Sequence, residues 1–200
     1  MKKTLLLLLL SFVVATTYSQ TKEEKNEKTK QIITQLKDGC LFVRLATSKV
    51  KIEALKNAGK RELAEKVEKE QYLENLEIMN AFKNHYTFGK VYFIYSDASE
   101  KVMMSNIDSI CLNDKLEIDY AISPNCKTVF TAQIGQIYST TFGSDIIGLG
   151  LMDDQFKPLP TYFPGYVSKR DLIFFKRSAN KMVRMLNTKL QETYTKYGSK

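Results

Sequence analysis

Histidines, cysteine motifs and long apolar runs are scarce in this chain of 200 residues, and each scarcity excludes a class of function. His85 is the one histidine, so a zinc site or a Ser-His-Asp relay has at most one imidazole to use. No C-x-x-C, G-x-S-x-G or EF-hand loop pattern occurs, which leaves thiol oxidoreductase, α/β-hydrolase and calcium-loop chemistry without a motif. We therefore expect no cofactor and no metal, and we expect His85 to lie near the end of a long helix.

The one long apolar run lies at the start of the chain. Lys2 and Lys3 form a basic beginning, and an apolar stretch follows over Leu5–Leu10 and Phe12–Ala15. Thr17 and Ser19 then place small residues at positions −3 and −1 of a cleavage site. This layout predicts a secretory signal peptide over residues 1–19, cleaved before Gln20. The stretch is shorter than the about 20 apolar residues that span a bilayer. We expect an exported protein, periplasmic or secreted, with no transmembrane segment in the mature chain.

Three segments carry a resemblance to other sequences. They are Gly39–Leu45 (GCLFVRL), Val91–Ser96 (VYFIYS) and Leu151–Val167 (LMDDQFKPLPTYFPGYV), together with the leader that ends in Ser-Gln. On these residues the chain resembles uncharacterised exported proteins of Bacteroidota. The resemblance implies export and implies nothing about activity.

Charge is distributed unevenly along the chain. Residues 71–154 carry 5 basic and 11 acidic residues, whereas residues 155–200 carry 10 basic and 2 acidic residues. A basic surface around the start of the last helix is a candidate site for an anionic envelope component. The alternative is an edge strand whose apolar residues are buried and whose ends are guarded by basic residues against aggregation. We expect no nucleic-acid partner. The candidate anion-binding residues are Lys169, Arg170, Lys176, Arg177, Lys181 and Arg184.

Three cysteines in an oxidising compartment allow at most one intramolecular disulfide. Cys111 and Cys126 flank turn-rich sequence that can fold back on itself, so they are the predicted pair. Cys40 lies in an apolar run and is interpreted as a small buried hydrophobe. The alternative is three reduced, buried thiols.

Carboxylates cluster in two places, at Asp114, Glu117 and Asp119 and at Asp153 and Asp154. Paired carboxylates can act as acid and base on a glycosidic bond or bind Ca²⁺. Both clusters lie in turn-like sequence, so turn chemistry is the favoured interpretation.

Apolar patterns predict the elements of the fold. Residues 20–38 form a polar helix, and residues 39–200 form a single α/β domain. The run Val91–Tyr95 has no polar alternation, which indicates a strand buried on both faces at the centre of a sheet. The remaining expected strands are Cys40–Leu45, Ile110–Leu112, Leu116–Tyr120, Thr128–Ile134 and Ile146–Met152.

Helical spacing predicts a short helix capped near Ser48, a long helix over residues 60–86 and a last helix capped by Ser178. Apolar residues of the long helix are expected on one buried face, namely Leu63, Val67, Tyr72, Leu76, Met79, Phe82 and Tyr86.

These elements predict a single-domain α/β sandwich with a mixed central sheet and flanking helices. A parallel strand pair linked by helices, followed by a hairpin and a helix, resembles thioredoxin-like topology without the redox motif. The first functional hypothesis is an exported, soluble cell-envelope protein that is non-enzymatic and acts by binding or support. The alternative is a hydrolase-type enzyme whose site is assembled from dispersed Asp, Tyr and Lys residues.

Overall fold

Helices and strands alternate through the first half of the chain, and antiparallel strands and a helix follow. The computed structural model describes residues 21–139, 144–172 and 175–198, and the predicted signal peptide lies outside them. The helices are α1 (Lys22–Asp38), α2 (Lys49–Asn57), α3 (Arg61–His85), α4 (Ser99–Met103) and α5 (Ala179–Thr193). The strands are β1 (Cys40–Leu45), β2 (Lys90–Tyr95), β3 (Val129–Ser139), β4 (Ser144–Met152), β5 (Tyr166–Ser168), β6 (Arg170–Leu172) and β7 (Phe175–Lys176).

One mixed sheet has the strand order β2-β1-β3-β4-β5. β1 pairs in parallel with both β2 and β3, whereas β3, β4 and β5 pair antiparallel. The predicted α/β architecture, a mixed central sheet with flanking helices, is therefore confirmed. The parallel pair and the antiparallel pair that follows it are also as predicted. The thioredoxin-like variant stays a prediction.

The first face of the sheet is covered by α1, α3 and α5. Side chains alternate between the two faces of a strand, and Leu41, Val43 and Leu45 of β1 point to this face. α1 begins with a capping box, in which Thr21 and Glu24 satisfy each other's backbone N–H groups. The three helices bury residues at intervals of three and four, and examples are Ile33 and Leu36 in α1, Ile78 and Phe82 in α3, and Met182, Leu186 and Leu190 in α5.

The second face is covered by the short helix α4 and by the chain from residue 104 to residue 128. Cys40 and Phe42 of β1 point to this face and pack with Ile94, Val102 and Cys111. Within the described stretch 104–128, the predicted brief strands shrink to a single bridge between Leu112 and Ile118. The cause is a tight turn in which Asn113 Oδ1 accepts hydrogen bonds from two backbone N–H groups, leaving too few residues for a ladder.

The disulfide joins Cys40 to Cys126, so the predicted pairing of Cys111 with Cys126 is wrong. The chain entering β3 runs beside the start of β1, where Cys40 N donates to Thr128 O at 3.0 Å. This places the Cα atoms of Cys40 and Cys126 5.6 Å apart, within the range that a disulfide spans. Cys111 is instead the free, buried cysteine, held beside β2 by the neighbouring Leu112 N–H, which donates to Phe93 O.

β2 is an edge strand and does not lie at the predicted centre of the sheet, because the middle one of the five strands is β3. The apolar run reflects cover on both faces, since Phe93 packs under the helices and Ile94 packs under the second-face chain. On the outer edge of β2, the backbone O of Phe93 accepts a hydrogen bond from Leu112 N. The apolar sequence of a strand therefore indicates that both faces of the strand are covered, and it does not indicate the position of the strand in the sheet.

The predicted inward face of α3 is correct at Val67 and in the second half of the helix, and it is wrong at Leu63 and Tyr72. Val67, Met79 and Phe82 are buried, whereas Leu63 and Tyr72 are 46% and 45% exposed. The first half of α3 forms a separate apolar cluster with α2, in which the buried residues are Ile52, Ala64 and Val67. Along the described residues, no helix has both the length and the apolar character needed to cross a bilayer.

Candidate functional site

A polar crevice opens at the carboxyl ends of the parallel strands β1 and β2. It consists of a cavity of about 410 Å³ and an adjoining cavity of about 180 Å³, which share Ala46, Gln71 and Asn75. β1 is the strand at which the strand order reverses, because the chain goes first to β2 on one side and then to β3 on the other. In open α/β sheets, ligands bind in the crevice outside the carboxyl ends of the strands at this position.

A network of amide side chains fixes the wall between the two cavities. Asn75, which is 3% exposed, donates from Nδ2 to the backbone O of Ala46 at 2.8 Å. Its Oδ1 accepts from Gln71 Nε2, and Gln71 Oε1 accepts from Ser48 Oγ at 2.6 Å. The network joins α3 to the loop that follows β1, so these amides are held in place before any ligand arrives.

Ser48 has a backbone conformation that is uncommon for a residue with a side chain. Its φ is 51°, in the left-handed region. The sequence predicts a cap for α2 at this position, but the hydroxyl makes no cap hydrogen bond and turns to Gln71. Residues held in such regions concentrate at binding and active sites.

Arg44, near the end of β1, reaches the smaller cavity from the second face of the sheet. Its Nε donates to Ser99 Oγ at 2.8 Å, and its Nη1 donates to Gln133 Oε1 at 2.6 Å. The guanidinium carbon lies 5.4 Å from the centre of the Phe156 ring, a cation–π arrangement. Burial lowers the pKa of Arg44, and nearby Asp97 acts in the opposite direction.

Asp97 connects the loop after β2 with the loop after β1. Its carboxylate forms an ion pair with Lys49 and accepts hydrogen bonds from Thr47 Oγ1 at 3.0 Å and Ser96 Oγ at 3.5 Å. The hydrogen bond from Lys49 is the main cause that lowers the pKa of Asp97 and raises the pKa of Lys49. Asp97 therefore remains ionised at neutral pH.

Two tyrosines line the larger cavity. Tyr95 Oη donates to Leu116 O at 2.7 Å, and burial raises the pKa of the Tyr95 phenol. Tyr72 is 45% exposed and presents its ring to the crevice opening. A tyrosine ring offers an apolar surface together with a polar tip, which suits a ligand with mixed character.

The six basic residues predicted as an anion site differ in their burial. Arg177 is half-buried, and its Nη1 donates to the backbone O of Ser168 at 2.8 Å and of Arg170 at 2.9 Å. The expectation that Arg177 lies at a solvated helix start is therefore wrong, because it ties together the strands before α5. The backbone N–H of Lys181 donates to Ser178 Oγ, the cap of α5. An anionic partner for the exposed side chains of Arg170, Lys176 and Arg184, for Lys181 and for the half-buried Lys169 stays a prediction.

In each carboxylate cluster one aspartate caps a turn, in agreement with the favoured interpretation. Asp153 Oδ1 accepts from the backbone N–H groups of Gln155 and Lys157, and Asp119 Oδ1 accepts from that of Ala121. Asp114 forms an ion pair with Lys83. No group of three His, Cys, Asp or Glu side chains suited to a metal ion occurs within residues 21–139, 144–172 and 175–198.

The residues of the crevice were not singled out by motif. Two signals in the sequence indicate them in retrospect. Arg44 is the one charged residue in the apolar run Gly39–Leu45, and Asn75 is a polar residue on the buried side of α3. Both positions break an apolar pattern, and such local inconsistencies are expected at functional sites.

No protein-family model matches this chain, and no curated protein and no solved structure matches it either. The class that fold and site define is an α/β domain with a polar crevice at the carboxyl ends of its parallel strands. Function is therefore argued from the crevice, since a fold by itself does not specify function.

Proposed function

We propose that this protein is an exported, non-enzymatic binding domain and that the crevice binds a small polar ligand. The observation that carries the proposal is the ordered network of Ser48, Gln71 and Asn75 beside two adjoining cavities of about 410 and 180 Å³. A few fixed polar groups in a concave site are the usual means by which proteins orient a small ligand.

The disulfide supports export. Cys40 and Cys126 are linked, and such bonds form and persist in oxidising compartments such as the periplasm. This agrees with the signal peptide predicted over residues 1–19. A periplasmic or secreted location is therefore part of the proposal.

Binding is favoured over hydrolysis because Asp97 and Tyr95 are engaged in other contacts and the glutamates of the crevice are exposed. Asp97 is held by Lys49, Thr47 and Ser96, and its lowered pKa prevents it from donating a proton at neutral pH. The Tyr95 hydroxyl donates to Leu116 O. The three glutamates of the crevice rim are exposed and lack the desolvated setting of a general acid, and they are Glu53, Glu68 and Glu74.

The test is a thermal-shift and calorimetric screen of the purified protein against monosaccharides, disaccharides, amino acids, dipeptides and nucleosides. One class is expected to raise Tm, because a ligand at 100 times its Kd stabilises the folded state by about 2.7 kcal/mol. Tyr72→Ala and Gln71→Leu should remove the shift.

Leu73→Ala is the matched control, because Leu73 is 53% exposed on the same helix and lines neither cavity. A ligand that stabilises all three variants equally binds elsewhere and contradicts the proposal. Turnover of a glycan, peptide or ester by the purified protein, lost in Asp97→Asn, supports the hydrolase alternative and overturns the non-enzymatic assignment.

A further inference from the structure

Two opposite charges in the smaller cavity have no ionic partner in the described protein. The Arg44 guanidinium donates to two neutral oxygens, those of Ser99 and Gln133, and no described carboxylate lies within ion-pair distance of it. Glu74, on α3, lines the same cavity and forms no ion pair with a described residue. The cavity thus has a cation on its sheet side and an anion on its helix side.

Neutral hydrogen-bonding groups lie between these charges. Gln71 and Asn75 line the cavity from α3, and Gln133 lines it from β3, while Ile78 contributes apolar surface. The volume of about 180 Å³ suits a ligand group of about the size of one amino acid. The larger cavity beyond Ala46 leaves space for a side chain or a second residue.

We propose that this cavity binds a small zwitterion, a free amino acid or a short peptide, with the ligand carboxylate on Arg44 and the ligand ammonium group facing Glu74. The inference rests on the proposed function, because it assigns a ligand class to the same crevice. The basis of the assignment is that Arg44 and Glu74, which carry opposite charges, line the same small cavity.

Arg44 suits a carboxylate for two reasons. Two of its five N–H donors are used by Ser99 and Gln133, and these bonds together with the Phe156 ring fix the plane of the guanidinium. The remaining donors make no hydrogen bond to a described residue, so a fork is available for bidentate contact. A ligand carboxylate also adds charge compensation in direct contact with this half-buried cation, which otherwise has neutral hydrogen-bond partners and the more distant Asp97.

A ligand with one charge fits this crevice less well. Its basic side chains are Arg44, Lys49 and Lys56, and its acidic side chains are Glu53, Glu68 and Glu74, while Asp97 lies behind Lys49 and forms an ion pair with it. Because Lys49 and Asp97 already neutralise each other, the field around the smaller cavity comes mainly from Arg44 and Glu74. A ligand with only a negative charge is repelled by Glu74, and one with only a positive charge is repelled by Arg44. A zwitterion can place its carboxylate beside Arg44 and its ammonium group beside Glu74.

The experiment measures calorimetric binding of the common amino acids and of alanyl-alanine to the purified protein. For the tightest of these ligands, the N-acetyl form removes the ammonium charge and the amide form removes the carboxylate charge. We expect both modified ligands to bind more weakly than the parent. Alanyl-alanine binding more tightly than any free amino acid identifies a peptide, and the reverse order identifies a free amino acid.

Substitutions then assign each charge to its side chain. Arg44→Gln should weaken binding of the parent ligand roughly tenfold to a hundredfold, the range for a hydrogen bond to a charged group. Glu74→Gln should weaken it about two- to fivefold, because Glu74 is exposed. Arg44→Gln should leave the affinity of the amide ligand unchanged, and Glu74→Gln should leave that of the N-acetyl ligand unchanged.

Glu77→Gln is the matched control, since Glu77 is exposed on the same helix and lines neither cavity. Glu74→Gln carries little risk of unfolding, so it tests the inference even where Arg44→Gln is unstable. Equal binding of the parent, the N-acetyl form and the amide overturns the inference, as does the absence of binding across this panel. A neutral sugar that binds in the crevice and requires Gln71 leaves the proposed function standing and overturns the zwitterion assignment alone.

Discussion

The two faces of the sheet are stabilised by different means. The first face is covered by α1, α3 and α5, whose buried residues recur at helical spacing and form the larger apolar core. The second face is covered by the short helix α4 and by the irregular chain of residues 104–128, with a smaller apolar cluster. The disulfide between Cys40 and Cys126 belongs to the second face, where it joins β1 to the residues that enter β3.

This difference indicates what a disulfide contributes in this fold. An irregular cover lacks the repeating apolar face of a helix, so it buries less apolar surface for each residue that it orders. A cross-link lowers the conformational entropy of the unfolded state, and it therefore stabilises the folded state without additional packing. The first face should therefore depend on apolar side chains and the second face on the disulfide.

The largest expected effect is that of removing the disulfide. The bond closes a loop with a sequence separation of 86 residues, for which the chain-entropy model gives about 4.6 kcal/mol. The double variant Cys40→Ala/Cys126→Ala should lower the free energy of unfolding by about this amount in a urea titration. Cys111→Ala is the control and should retain the linkage in peptide mapping without reduction. Recovery of a peptide that links Cys111 to Cys126 from the wild type contradicts the assignment.

A substitution in the helical cover should have the next largest effect. Leu186 of α5 is completely buried, and Leu→Ala changes in such positions destabilise proteins by about 2–5 kcal/mol. Leu186→Ala should lower Tm without changing the Cys40–Cys126 linkage, since it acts on the first face. Arg184→Ala, on the exposed side of the same helix, should change stability by about 0.5 kcal/mol or less. Equal losses in the two variants would mean that α5 does not pack as described.

The first face was the more predictable from sequence, and the physical reason is periodicity. The spacing of Val183, Leu186 and Leu190 identifies the buried side of α5 because local geometry alone fixes which residues share a helix face. The cover of the second face depends on contacts between distant residues. Its disulfide pairing was predicted from sequence proximity, whereas the parallel pairing of β1 with β3 determines that Cys126 reaches Cys40.

The candidate site was the least predictable part. Its residues come from the ends of β1 and β2, the middle of α3 and β3, and no short motif contains them. Arg44 and Glu74 are 30 positions apart in sequence and meet one cavity only because β1 and α3 are packed together. By contrast, the turn function of Asp119 and Asp153 was predictable, since an aspartate contacts backbone groups only two to four residues away.

Cys111 gives a smaller, pH-dependent difference between the faces. It is 1% exposed, and burial, with a smaller effect of Asp108, raises its pKa to about 11 from 9.0. As pH rises, the unfolded state therefore loses the thiol proton before the folded state does. The stability of the folded state is consequently unaffected by Cys111 below pH 9 and falls as pH rises from 9 towards 11. Denaturation followed at pH 8 to 11 should show a steeper fall for the wild type than for Cys111→Ala. Rapid alkylation of the native thiol by iodoacetamide at pH 8 would contradict the burial.

The smallest expected effect concerns Asp97, which follows β2 at the carboxyl end of the parallel strands. The loop after β1 leads to the helical cover and the loop after β2 leads to α4, and Asp97 joins them through Lys49 and Thr47. Its pKa is lowered from 3.8, so its contribution is present above pH 3.8 and is lost as pH falls through the lowered value. The pKa of Lys49 is raised from 10.5, so the stabilisation by this ion pair is fully present below pH 10.5 and is lost as pH rises through the raised value. Asp97→Asn should therefore reduce Tm slightly at pH 7, and the difference from the wild type should narrow below pH 3.8. Lys49→Gln should reproduce this profile, whereas Lys51→Gln, exposed on the same helix, should not. A difference that persists unchanged at pH 2 would show that Asp97 acts through its shape and not through its charge.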